Sequence, residues 1–117
     1  MTKKELWKKQ IDNYTELIIK YKWKQEPMLA LVNEFVNNKI GEQFFPSNSH
    51  AAIGLSRFKN YPINRDFNMV FIAFNEDNQK FGITFLQGKK IKPFLQKEVT
   101  KIQQKDLNRI ENWLNLI

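Results

Sequence analysis

Between Phe67 and Leu86 the chain reads FNMVFIAFNEDNQKFGITFL, two alternating apolar runs parted by the polar residues Asn75 to Gln79. A short polar stretch between two runs of period two predicts a β-hairpin. Setting Phe74 opposite Lys80 pairs Ala73 with Phe81, Phe71 with Ile83 and Met69 with Phe85. Opposed residues point to the same side. In this register Phe67, Met69, Phe71, Phe81, Ile83 and Phe85 share one face, which is expected to line the core. The other face carries Val70, Ile72, Phe74 and Leu86 among Asn68, Lys80 and Thr84. It is too apolar for a plain solvent face, so either the C-terminal helix crosses to cover it or a partner does. Val70, Ile72, Phe74 and Leu86 are therefore the expected partner-binding face.

The flanking stretches read as helices. Thr2-Lys3-Lys4-Glu5 fits a capping box, opening a helix to about Lys24. Its apolar stripe is Trp7, Ile11, Tyr14, Ile18 and Tyr21, widened by Leu17, and Glu5–Lys9 and Glu16–Lys20 are oriented i,i+4 pairs. Pro27 ends that helix and starts a second with Met28, Leu31, Val32, Phe35 and Val36 inward; Gly41 suits a left-handed stop. After a polar tip at Ser47 to His50, a short strand is expected over Ile53–Phe58 and a loop over Lys59–Asp66. A fourth strand at Lys90–Leu95 would lie at an edge because Pro93 lacks an amide hydrogen. Thr100 to Gln103 gives a second capping-box match before a helix faced by Ile102, Leu107, Ile110, Trp113, Leu114 and Ile117. The expectation is an α+β fold: two N-terminal helices, a three- to four-stranded antiparallel meander and a C-terminal helix. With 117 residues, 42% of them hydrophobic, and no linker-like stretch, residues 1–117 are expected to form one domain.

Little in the chain suggests catalysis. His50 is the one histidine, and Ser47 and Ser49 lie in a plain turn without a strand-to-helix elbow, so a Ser–His–Asp arrangement with Asp66 finds no setting. There is no cysteine and no glycine-rich phosphate loop, and the acids Asp66, Glu76 and Asp77 would fall at opposite ends of a strand. No cofactor or metal is expected. The net charge of +7 attracts polyanions, but sixteen of the nineteen basic residues are Lys, which lacks the guanidinium fork suited to phosphate. The one local concentration is Arg57, Lys59, Tyr61 and Arg65, the expected polyanion-binding cluster. With His50 it would also suit a metal-independent ribonuclease of the bacterial toxin type.

The N-terminus is charged with no apolar run behind it, and no segment approaches the ~18 apolar residues of a membrane span. A cytosolic protein of bacterial or phage origin is expected, with no membrane partner. The favoured function is non-catalytic binding of another protein, in an accessory or immunity-type role. Nucleic-acid binding ranks second and the ribonuclease third.

Overall fold

The computed structural model describes residues 1–49, 51–59, 67–88 and 93–116. Three helices, α1 (Lys3–Ile19), α2 (Glu26–Val36) and α3 (Lys39–Gln43), lead into five strands. These are β1 (Phe45–Ser49), β2 (Ala52–Ser56), β3 (Met69–Asn75), β4 (Lys80–Leu86) and β5 (Leu95–Val99), after which α4 (Gln104–Asn115) follows. The sheet order is β1-β2-β3-β4-β5 with every neighbouring pair antiparallel. The fold is α+β, as the sequence predicts, but with five strands among the described residues rather than three or four. The unexpected strand is β1, whose sequence FPSNS looks like a turn. It lies at a sheet edge, where Pro46 leaves no ladder bond unmade.

Element ends also differ from expectation. The Thr2 capping box is present, with the Glu5 amide donating to Thr2 Oγ1 over 3.1 Å. However, α1 stops at Ile19, because Lys22 turns left-handed (φ 61°) and the Trp23 amide donates back to the Leu17 carbonyl. Gly41 is no left-handed stop. It lies inside α3, where a methyl group would stand 2.3 Å from the Phe35 carbonyl oxygen, so what it supplies is close approach. β5 runs Leu95–Val99, and of the expected Lys90–Leu95 strand, residues 90–92 lie outside the described residues. The cap of α4 is Gln103, not Thr100, with Asp106 closing the capping box.

The hairpin register is one residue from that expected. Asn75 pairs with Lys80, Phe74 with Phe81, Ile72 with Ile83 and Val70 with Phe85. Turn chemistry fixes this: Asn75 Oδ1 accepts from the Asp77 amide (2.8 Å), Asn78 Oδ1 accepts from the Lys80 amide (3.0 Å), and Gln79 is left-handed (φ 58°). The turn thus holds four residues, 76–79, and Asn75 stays in the ladder. A slip of one residue exchanges the two faces of a strand.

The core follows from that register. Val70, Ile72, Phe74, Phe81, Ile83 and Phe85 join Ile53 and Leu55 of β2 on one face of the sheet. Against them pack Trp7 and Tyr14 of α1, Met28, Leu31, Val32 and Phe35 of α2, and Leu107, Ile110 and Leu114 of α4. Helices from both ends of the chain therefore cover the same face. Polar anchors place them: Trp7 Nε1 donates to the Phe44 carbonyl (3.1 Å), and the Tyr14 hydroxyl to that of Ala51 (2.7 Å). Between α1 and α2, Gln25 Nε2 donates to the Phe74 carbonyl (3.2 Å) and to Glu76 (2.9 Å), tying the connection to the hairpin. The opposite face bears small or half-buried side chains, among them Ala52, Gly54, Phe71, Ala73, Gly82 and Thr84.

Candidate binding surface

The expected partner-binding face needs correction. Val70 and Ile72 are fully buried and Phe74 is 8% exposed, all within the core beneath the helices. Leu86 is on the opposite face, paired with Met69. The four do not form one surface.

Of the expected basic cluster, Arg57 and Lys59 are described and Tyr61 and Arg65 lie outside the described residues, as do His50 and Asp66. The Arg57 guanidinium is 5.6 Å from the centre of the Phe58 ring, and Phe58 itself packs on Phe67 (4.3 Å). The Lys59 ammonium donates to the Met1 carbonyl. Among the described residues the two cations thus have separate partners.

A different basic region lies where β5 runs into α4. Lys80, Lys97, Lys101 and Lys105 line an open cleft of about 350 Å³ with Glu98 and Asp106. Lys97 points to the helix side of the edge strand and pairs with the almost wholly buried Asp106 carboxylate at 3.2 Å. That carboxylate also accepts the Gln103 amide (2.9 Å). Burial alone would raise the Asp106 pKa, but the Gln103 amide and the Lys97 ammonium outweigh it and hold the carboxyl below the ordinary range. The arrangement caps α4, and an inward charge on an edge strand also opposes pairing with foreign strands.

Among the described residues the most exposed aromatic side chain is Phe94, and it rests on Trp113. The indole N–H donates to the carbonyls of Met69 (3.3 Å) and Leu86 (3.1 Å), and Asn68 Nδ2 donates to the Trp113 carbonyl (3.0 Å). Phe85 meets the indole edge-on, at 5.9 Å and 87°. Trp113 is therefore held from below, and Phe94 stacks on it with centroids 4.8 Å apart and planes at 25°. The Phe94 amide donates to the Phe85 carbonyl (2.9 Å), which fixes its backbone, yet its side chain is 62% exposed. Leu116, just past α4, is 55% exposed. Arg109, one turn before Trp113, holds its guanidinium 5.7 Å from the centre of the Phe85 ring. With Leu95 and Asn112 these residues line a cavity of about 180 Å³.

This ledge has no signature in the sequence pattern. Phe94 reads as part of a strand and Trp113 as part of the α4 core stripe. The available signal is Arg109 at i−4 from Trp113, but only the β4–β5 pairing brings Phe94 to them.

No protein-family model matches the chain, and no curated protein and no solved structure is significantly similar to it. Among the described residues no helix is long and apolar enough to cross a membrane, and no group of three or more His, Cys, Asp or Glu is placed to hold a metal ion.

Proposed function

We propose that this chain is a non-catalytic, cytosolic protein-binding module of the accessory or immunity type. The observation that carries the reading is the ledge of Phe94, Trp113 and Leu116. An aromatic ring fixed through its backbone, stacked on a hydrogen-bonded indole and still largely in water is preorganised for contact. Covering Phe94 and Leu116 would contribute on the order of 2–4 kcal/mol, and aromatic residues with Arg are enriched at interface hot spots. The lysine-lined cleft favours a second reading, polyanion binding, through point charges near Lys80, Lys101 and Lys105.

Salt and one substitution separate the two. In parallel affinity captures with wild type and Phe94→Ser, a partner held by wild type at about 1 M salt, where exposed charges are screened beyond ~3 Å, and lost by the variant supports the ledge. Capture that is equal for both baits and vanishes at high salt favours the lysine cleft. Phe94→Ser should keep the wild-type circular dichroism and unfolding midpoint, because the side chain is mostly in solvent.

A further inference from the structure

Resting on the reading of the ledge as a docking surface, we infer that its occupant is an acidic peptide segment: one large apolar side chain enters the cavity and an adjacent carboxylate meets Arg109. The cavity, about 180 Å³, falls below the roughly 300–1,000 Å³ of small-molecule sites, and its walls are mainly apolar, so it suits a single side chain. Arg109 supplies the polar requirement. Along α4 its neighbours at i−4, i+3 and i+4 are Lys105, Asn112 and Trp113, none of them acidic. The acid at i−3, Asp106, is turned inward to Lys97 and the Gln103 amide. Among the described residues no ion pair includes Arg109. A guanidinium whose neighbour is the Phe85 ring, at 5.7 Å, spends none of its N–H groups on that contact and can offer its fork to a carboxylate, and the net charge of +7 favours the approach of acidic segments.

The test is selection from a random peptide display library on the full chain, with the selected peptides then synthesised and titrated by fluorescence polarisation. The expected peptides carry a large apolar residue within one or two positions of Asp or Glu. Their affinity should fall at least ~10-fold for Phe94→Ser and for Arg109→Glu, and also for Arg109→Gln, which removes the charge while keeping an amide. Selection on Arg109→Glu should instead enrich Lys or Arg beside the same apolar anchor. Peptides that lose affinity with Phe94→Ser but bind both Arg109 variants as wild type overturn the acidic occupant and leave the docking surface standing. Peptides indifferent to Phe94→Ser, or no selectable peptide, overturn both.

Discussion

Asp106 shows how much one residue can fix and how little of it a sequence displays. As the third residue of α4 it accepts the Gln103 amide, and as a buried anion it is paired with Lys97 across from the edge strand. Hydrogen bonds to a charged group contribute roughly 1.5–3 kcal/mol, so Asp106→Asn should lower stability by about 2 kcal/mol at pH 7. The folded pKa of Asp106 lies below its unfolded value. Its contribution is therefore complete above the unfolded pKa, ~3.9, and is lost as pH falls through the folded one. Urea unfolding of wild type and variant should show a gap that is constant near neutrality and narrows below about pH 4. A gap unchanged with pH would mean that the carboxylate is not the group that matters. The sequence shows Gln103 and Asp106 three apart, but Thr100 offers the more familiar cap, and the pairing of Asp106 with Lys97 depends on the β5 register.

At the scale of elements, legibility followed local chemistry. The Thr2 capping box and the Pro at the start of α2 act within one turn, and both were readable. The hairpin register was not, since Met69, Phe71 and Ala73 are nearly as apolar as Val70, Ile72 and Phe74, so patterning barely separates the faces. The decisive contacts were side-chain to backbone bonds from Asn75 and Asn78. Gly41 makes the same point for helices. Its sequence setting suggests a stop, whereas its function is to let α3 lie against the end of α2. Gly41→Ala should destabilise the protein by at least ~2 kcal/mol, because the obstructing atom is a backbone carbonyl that cannot rotate away. A thermal midpoint within a degree of wild type would show that α3 can shift at no cost. The Phe94 ledge lay further still from sequence, because it joins the start of β5 to the last turns of α4.

At the scale of the molecule, α1, α2 and α4 share one sheet face, and a pair of substitutions three positions apart on β3, and so on opposite faces, tests that directly. Phe74 is 8% exposed, contacts Phe81 edge-on at 5.1 Å, and lies in the core with α1, α2 and α4. Replacing it with Asp removes a ring whose loss costs about 3–5 kcal/mol and leaves a carboxylate under the helices, against a typical total stability of about 5–15 kcal/mol. Phe74→Asp should therefore unfold the chain at neutral pH. Phe71 pairs with Gly54 and Thr84 on the opposite face, its ring lying across Gly54, so that a methyl there would come within 2.7 Å of Phe71 Cε1. It is half-buried and belongs neither to the core cluster to which the helices contribute nor to the residues packed against that cluster. Phe71→Asp turns a charge into solvent and should cost no more than about 1–2 kcal/mol, keeping wild-type circular dichroism and a cooperative melt. The reverse pattern, with Phe71→Asp unfolded and Phe74→Asp tolerated, would restore the other register and overturn the two-layer arrangement. Because the ledge depends on Trp113 reaching the ends of β3 and β4 from the helix side, that result would also dismantle the binding surface proposed on it.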